Sequence, residues 1–483
     1  MKQLAIVVAL LIVMAAGIPP VVGALAQNHL TQQADIISQN ELLALNVRAY
    51  ERGWLTSSVL LDIELSGVYQ ERLAEILTQG ENQPASVTNL EERLSRTISL
   101  TVDLSHGPII AEGGLRAGFA SSVIRLDSET VGLDKLLAKL SIPYLFEIRT
   151  HSGFTGSSVF EVEVPRIVLE DPNGTFNLSG FTAEGSYDPA ARHLITDGHI
   201  ESIEISSEFA TVKAENLALN GDFWMVSSYI GEGSTELVLE RMSVLNATPT
   251  GPPFIEASNV GFTAHTSLND AGDRLDMDMS YHVDSVTGDD LSFTDGRFDL
   301  AIRNLDMTAI EAYNRITQGS VFPSGEMAIL HPEFQETLYQ LLAAEPALEL
   351  GPLNFTWNGN AFEAALRIRT DAEMLPPQAA FSLLTPSLWT RLFAVEMNVD
   401  IAQDLAERVA TEAAKYQLRR GGGQELTSEE LDAMAEAQGP GMLLLLVAQS
   451  MVDVSQIGYR SELSLEQGIL EVNGREIPLG PQF

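Results

Sequence analysis

Alternation of apolar and polar residues at every second position dominates the chain after residue 48. It is clearest in VLLDIEL (59–65), SLTVDLSHGP (99–108) and SVFEVEV (158–164). A period of two places successive side chains on opposite faces of a β-strand, so these segments predict half-buried strands. SGFTGSS (152–158) precedes the last of them and is typical of a hairpin connection.

The middle third of the chain contains a weak repeat. Its four copies are GTFNLSGFTAEG (174–185), ATVKAENLALNG (210–221), PFIEASNVGFTA (253–264) and GRFDLAIRNLDM (296–307). The matching position holds Gly180, Asn216, Asn259 and Asn304, which lie 36, 43 and 45 residues apart. A period near 40 indicates stacked antiparallel units that share apolar faces. We therefore expect an α+β fold, predominantly antiparallel β, with an elongated curved or meandering sheet built from quasi-repeated strand units.

Helical spacing returns in the last third of the chain. VDIAQDLAERVATEAAKYQLRRGGG predicts a helix that is capped by Asp400 and ends at the glycines. Its predicted apolar stripe is Ile401, Leu405, Val409 and Tyr416. Thr427 and Glu430 have the spacing of a capping box for a second helix. The apolar run MLLLLVAQSMV (442–452) has about half the length that a bilayer requires, which predicts a buried helix.

The C-terminal segment YRSELSLEQGILEVNGREIPL predicts alternating strands with turns at Glu466-Gln467-Gly468 and at Asn473-Gly474. Together these patterns divide the chain into four parts. Residues 1–27 form a transmembrane anchor or signal peptide, 28–48 a juxtamembrane helix, 49–400 an exported β-rich domain, and 400–483 helices plus a terminal hairpin packed on that domain.

The N-terminal segment, residues 4–26, contains no charged side chain. As a helix its 23 residues are roughly 35 Å long, and a hydrocarbon core is roughly 30 Å thick. The segment is long enough to anchor the chain, while Ala24-Leu25-Ala26 is a site that a signal peptidase could cut before Gln27. Either alternative exports the rest of the chain. An uncleaved anchor predicts a single-pass protein whose bulk faces an extracytoplasmic space.

Charge and cysteine content exclude several classes of function. The chain has 66 Asp plus Glu against 28 Lys plus Arg, a formal net charge of −38. Such a surface repels phosphate backbones, so we expect no nucleic-acid partner. Zero cysteines exclude disulfides, thiolate nucleophiles and Cys-ligated zinc.

Two short motifs offer candidate chemistry. In YERGWLTSS (50–58), Arg52 and Trp54 either hold an anionic ligand, or Gly53 permits an unusual backbone angle while Trp54 packs as a wedge. His106-Gly107-Pro108 ends an alternating strand, which favours a turn over a general base because no nearby residue is spaced to act as its partner.

Acidic clusters supply oxygen atoms but fit no calcium-loop pattern. They comprise Asn269, Asp270, Asp273, Asp276, Asp278, Asp284, Asp289 and Asp290. Charged sheet edges and turns need the same residues, so we predict no resident cofactor and no catalytic, cofactor-binding or metal residue. No phosphate loop, dinucleotide fingerprint or GxSxG elbow is present.

The motifs resemble those of the YdgA-like family of bacterial envelope proteins. The similar segments are YERGWLTSS, SHGPIIAEG, THSGFTGSSVFEVEV, LERMSV, DGRFDLAIRNLDM, GPLNFTWNGN, AALRIRT and ELSLEQGILEVNGREIPL. The family-like positions, to which we assign a structural role, are Tyr50, Arg52, Gly53, Trp54, Ser57, Ser58, His106, Gly107, Pro108, Asn473 and Gly474. The resemblance implies a single-pass protein anchored in a bacterial inner membrane, with its bulk in the periplasm, and it carries over no active site.

Three hypotheses of function follow. The first is a non-catalytic binding or scaffolding domain, attached to the membrane through residues 4–26, with an apolar groove for lipid or another hydrophobic ligand. The second is a hydrolase of glycan or cell-wall material. The third is a structural partner of another envelope protein.

Overall fold

The computed structural model describes thirteen stretches of the chain. They are residues 43–53, 55–65, 98–107, 109–110, 116–127, 137–138, 140–171, 174–227, 230–246, 255–319, 332–378, 386–420 and 427–477. The predicted membrane segment, residues 4–26, lies outside them. Among the described residues, no helix is both long enough and apolar enough to cross a bilayer.

Antiparallel β-structure dominates, as predicted, and the described residues form 24 strands and five α-helices. The chain divides into two compact units. Unit 1 comprises residues 1–208, 215–231 and 317–321, and unit 2 comprises 209–214, 232–316 and 322–483. The boundary therefore falls within the region that the sequence predicts as one β-rich domain.

The strands up to the division are β1 (Leu43–Arg52), β2 (Thr56–Leu65), β3 (Ile98–His106), β4 (Ile109–Ile110), β5 (Arg116–Ala117), β6 (Ala120–Asp127), β7 (Tyr144–Ser152), β8 (Ser158–Val164), β9 (Ile167–Asp171), β10 (Gly174–Leu178), β11 (Phe181–Asp188), β12 (His193–Ser207) and β13 (Ala210–Met225). The later strands are β14 (Gly231–Asn246), β15 (Ile255–Leu268), β16 (Arg274–Thr287), β17 (Ser292–Asp306), β18 (Ala347–Trp357), β19 (Asn360–Thr370), β20 (Phe393–Ala402), β21 (Asp453–Val454), β22 (Gly458–Glu466), β23 (Ile469–Val472) and β24 (Arg475–Ile477). The helices are α1 (Met307–Gly319), α2 (Pro332–Ala343), α3 (Pro386–Leu392), α4 (Gln403–Arg420) and α5 (Ser428–Ala448), with a 3-10 turn at Ala372–Met374.

In unit 1, antiparallel pairing runs in the order β1, β2, β3, β6, β7, β8, β11, β12, β10, β9. Strand β12 is long enough to pair with β11 through its first half and with β10 through its second. The core lies on one face of the first strands, where alternate side chains meet. It consists of Val59, Leu61, Leu100, Val102 and Leu104.

In unit 2, β14 to β20 pair in chain order, and β22, β23 and β24 follow. Most neighbours in this sheet are also neighbours in the chain, which is the meander that the alternating pattern predicts. Strand β21 pairs with β22 on the edge that β23 also uses.

The repeat has a conformational basis. Gly180, Asn216, Asn259 and Asn304 all have positive φ, between 49° and 124°. Glycine and asparagine tolerate the left-handed region best, so the repeat marks the positions where the backbone needs it. At Asn304 the pairing of β17 with β16 shifts by one residue, and the Asn304 amide donates to Asp276 Oδ1 at 2.8 Å. This copy is therefore a β-bulge.

Strand β1 corrects one prediction. The juxtamembrane helix was expected to run over 28–48, but β1 begins at Leu43 and pairs with β2 from Leu43 opposite Leu65. From Leu43 onwards, pairing with β2 determines the secondary structure more strongly than local helix preference does. The rest of that prediction, residues 28–42, lies outside the described residues.

Helices α4 and α5 form a hairpin whose buried face differs from the predicted stripe. Val409 and Tyr416 are more than half exposed, and Ile401 belongs to β20. The buried residues of α4 are instead Ala406, Ala410 and Ala414. Small side chains allow two helices to approach closely, so the alanine row and not the row of larger residues faces α5.

The start of α5 is as predicted, since Thr427 and Glu430 form a reciprocal capping box. Its end is not. Leu443 is buried against α4, but Leu444 and Leu445 are 66% and 58% exposed, so the run 442–452 is not a buried helix.

Candidate functional site

The family-like motif YERGWLTSS forms the β1–β2 hairpin of unit 1. Gly53 N donates to Thr56 O at 2.7 Å and closes the turn. The φ of Gly53 is not in the left-handed region, so its expected unusual angle is absent. A Cβ on Gly53 would lie 2.7 Å from the Thr56 carbonyl oxygen, and this close approach is why glycine is needed. Trp54 and Pro108 lie outside the described residues.

Two other residues of the motifs meet although they are 49 positions apart. Ser57 Oγ lies 3.1 Å from His106 Nε2, and both side chains are buried. Register explains the contact: Thr56 pairs with Ser105, and His106 N donates to Leu55 O at 2.8 Å. This pair could not be predicted from spacing, because the 49 residues between Ser57 and His106 are bridged only by the register of β2 against β3.

The hydroxyl and imidazole of this pair are the groups that nucleophilic catalysis uses. Their surroundings differ from those of a working site. His106 is 1% exposed and Ser57 is 5% exposed, so a substrate has no path to either. The neighbouring Ser58 and Arg52 are exposed, and Tyr50 packs against the core. His106 is therefore a buried core histidine that contacts Ser57 through Nε2, and the residues around this pair form the β1–β2 hairpin.

The opposite face of unit 1 carries an ionic cluster around Glu147. This carboxylate is 2% exposed and pairs with both Arg125 and Arg149. Arg149 also lies 3.8 Å from Glu163, and burial together with the Glu163 and Glu147 carboxylates raises the pKa of Tyr144. A buried carboxylate needs such partners, so the cluster satisfies Glu147 and does not form an anion site.

Unit 2 contains a different feature, a sheet face whose side chains are aliphatic, methionine or aromatic over most of its width. One row across the paired strands is Leu237, Phe262, Tyr281, Phe298, Leu353, Ala364 and Val399. The next is Ala264, Met279, Leu300, Leu350, Leu366, Met397, Leu463 and Val472. The third is Met277, Ile302, Leu348, Ile368, Val395, Leu465 and Leu470. We call these three rows the apolar face.

The apolar face is not covered like a core. All of its side chains except Val472 keep part of their surface exposed, and Tyr281 and Met397 are 44% and 38% exposed. The rings of Phe262 and Tyr281 lie 4.8 Å apart, and Phe298 follows at 6.0 Å from Tyr281. Such ring separations are typical of packed aromatic pairs. The face is therefore ordered while it remains accessible.

Helices lie at both ends of this face. On β20, Ile401 packs against α4 and α5, and Phe393 packs against the cluster of Leu342 and Leu392 from α2 and α3. Met397 lies midway between Phe393 and Ile401 on the same side of β20. Packed helices therefore border the apolar face on both sides of Met397 along β20.

The opposite face of the same sheet is polar and paired. Arg367 lies 3.0 Å from Glu349, Arg369 lies 3.0 Å from Glu396, and Arg303 Nη1 donates to Asp278 Oδ2 at 2.8 Å. The Arg303 hydrogen bond lowers the pKa of Asp278. These pairs fix the register of the strands. The sheet thus separates a charged face from an apolar one.

The acidic clusters that suggested calcium are used within the fold. Asn269 Oδ1 accepts from the amides of Asp273 and Arg274, which closes the β15–β16 turn, and Asp276 holds the bulge at Asn304. Within the described part of the chain, no three His, Asp or Glu side chains are arranged to hold a metal ion.

The C-terminal hairpins contain both predicted turns. Gln467 and Gly468, and then Asn473 and Gly474, have positive φ at both central residues of two-residue loops. This is the type I′ geometry that favours Asn-Gly. Asn473 Oδ1 also accepts from the Glu462 amide at 2.7 Å, which ties this family-like residue to β22.

These features define a β-rich protein with a two-faced antiparallel sheet and no assembled catalytic centre among the described residues. Residues 1–480 match the model of a family described as "Bacterial protein of unknown function (DUF945)", and the chain belongs to that family. No curated protein and no solved structure matched the chain.

Proposed function

We propose that the protein is a membrane-attached envelope protein that binds the acyl chains of lipids, without catalysis, on the apolar face of unit 2. The single observation that carries this proposal is the accessible apolar face itself. Large exposed apolar patches are rare on proteins without a partner for them, and the three rows offer a polar ligand a single hydroxyl, that of Tyr281.

The dimensions of the apolar face favour an acyl chain as its ligand. The row through Met397 crosses eight strands, and seven strand spacings amount to about 34 Å. One lipid leaflet contributes roughly half of a 30 Å hydrocarbon core, so an extended acyl chain fits along this row. The methionines of this row, Met279 and Met397, adapt to ligands of variable shape. The neighbouring row adds the aromatic surface of Phe262, Tyr281 and Phe298.

The distribution of charge between the two faces of the sheet also favours an acyl chain as the ligand. Ion pairs fill the opposite face, so the apolar face is the side of the sheet that gains most from leaving water. Attachment to an inner membrane through residues 4–26, with the bulk of the chain in the periplasm, would give this face access to lipid. That placement rests on the uncharged N-terminal segment and on the YdgA-like resemblance.

A photo-crosslinking residue tests the proposal in cells. Benzoylphenylalanine at Tyr281 would stand on the apolar face, and at Asn398 it would stand on the opposite face beside Met397. We expect irradiation to attach lipid at Tyr281 and none at Asn398. Equal labelling at both positions, or attachment of a protein alone at Tyr281, would exclude acyl-chain binding.

The Ser57–His106 pair favours one alternative, a glycan or cell-wall hydrolase, because it brings a hydroxyl to an imidazole. Its burial argues against this. If the full chain released product from envelope glycans and Ser57→Ala abolished the turnover, the alternative would replace the proposal.

A further inference from the structure

The C-terminal half of α5 has an unusual distribution of apolar side chains. Leu444, Leu445 and Leu446 are consecutive and all exposed, by 66%, 58% and 37%. Successive helical residues point about 100° apart, so these three leucines cover more than half of the circumference. Leu443 alone of the four turns inward, against Ala406 and Ala410 of α4.

This part of the chain also lacks charge. Residues 437–452 contain no Asp, Glu, Lys or Arg, whereas 19% of the chain is charged. A soluble surface helix normally carries its charged residues on the side that faces water. In this part of α5, the side that faces water carries Leu444, Leu445 and Leu446 instead.

Helix α5 also contains residues of low helix propensity just before the leucines. Pro440 lies inside α5 between Gly439 and Gly441. Gly439 has a packing reason, because a Cβ there would lie 2.9 Å from Thr411 N, but a Cβ on Gly441 would meet nothing within 4 Å. Proline and an unneeded glycine together make residues 441–448 the part of α5 that bends most easily.

We propose that the exposed end of α5, residues 442–448, inserts into the surface of a bilayer with zwitterionic headgroups. A protein groove covers one stripe of a helix and would leave at least one of the three leucines in water, whereas a lipid phase surrounds all of them. The net charge of −38 opposes an anionic surface, and this uncharged segment needs no cationic headgroup. The contact is distinct from the apolar face and does not depend on lipid binding there.

Because the chain has no cysteine, single labels are unambiguous. Leu444→Cys and Leu445→Cys, each labelled with an environment-sensitive nitrobenzoxadiazole dye, would be compared with Tyr416→Cys. Tyr416 is 64% exposed on α4, so label accessibility is matched. The full chain would be reconstituted in phosphatidylcholine vesicles with and without doxyl-labelled phosphatidylcholine.

We expect blue-shifted emission and quenching by doxyl lipid at residues 444 and 445, and neither at 416. No quenching at 444 and 445 would overturn the proposal. A blue shift without quenching would assign the leucines to a protein contact instead, and equal quenching at all three positions would show unspecific association of the labelled chain.

Discussion

The buried contact between Ser57 and His106 gives the sharpest prediction of stability. Ser57→Ala removes the hydroxyl that lies 3.1 Å from His106 Nε2, and it leaves that nitrogen in a site where the imidazole is 1% exposed. Water cannot replace the lost partner without opening the core. A buried polar group that loses its hydrogen bond costs about 1–3 kcal/mol.

Ser58→Ala is the matched control. It is the same substitution one residue along β2, and Ser58 is exposed with only a 3.5 Å contact to Asp103. Changes at such surface positions are usually within about 0.5 kcal/mol. The two variants therefore differ in burial and in little else.

Hydrogen exchange of the full chain is the suitable assay, because two units make a single unfolding transition unsafe to assume. A loss of 1–3 kcal/mol corresponds to exchange about 5- to 160-fold faster in peptides from β2 and β3 of Ser57→Ala. Ser58→Ala should exchange like the parent. Equal exchange in both variants would refute the structural role of the pair, and Ser57→Ala with parental exchange but lost catalytic activity would point to a nucleophile.

The glycines of α5 should respond oppositely. Gly439→Ala forces a Cβ against Thr411 and should speed hydrogen exchange in peptides of α4 and α5, whereas Gly441→Ala meets open space and should slow it by the equivalent of about 0.5–1 kcal/mol. Slower exchange in both variants would contradict the packing of α4 on α5. Arg303→Gln should raise the pKa of Asp278 towards its ordinary value, as followed by NMR titration. Because the folded pKa is depressed, the stability from this pair is present above the unfolded pKa and falls as the pH drops through the folded one, and for so exposed a pair it should not exceed about 1 kcal/mol. An unchanged Asp278 pKa in the variant would exclude Arg303 as the cause.

Strand content was predictable because it depends on local alternation. VLLDIEL and SVFEVEV lie in β2 and β8, residues 99–106 lie in β3, and the recurring Gly180, Asn216, Asn259 and Asn304 mark positive φ. Both signals depend on the conformational preferences of the residues themselves, and these preferences can be read from a single sequence.

Features that depend on partners were not predictable. On α4 the larger side chains, Val409 and Tyr416, suggested the buried stripe, but α5 packs against the alanines. The α4 sequence alone does not reveal which side of the helix contacts α5. The contact between Ser57 and His106 depends on the register of β2 against β3. Alternation indicated that unit 2 has an apolar face, but only the structure shows that this face stays accessible.

The most direct test of acyl-chain binding on the apolar face is to quantify the lipid that stays bound to the purified full chain. Met397 and Asn398 are adjacent, both exposed, and on opposite faces of β20, so Met397→Lys places a cation on the apolar face while Asn398→Lys is its control. A buried cation without a partner disfavours an acyl chain strongly. After mild extraction and quantification by mass spectrometry, we expect lipid on the parent and on Asn398→Lys, and a clear loss on Met397→Lys. Equal lipid on all three, or none on the parent, would contradict acyl-chain binding on the apolar face.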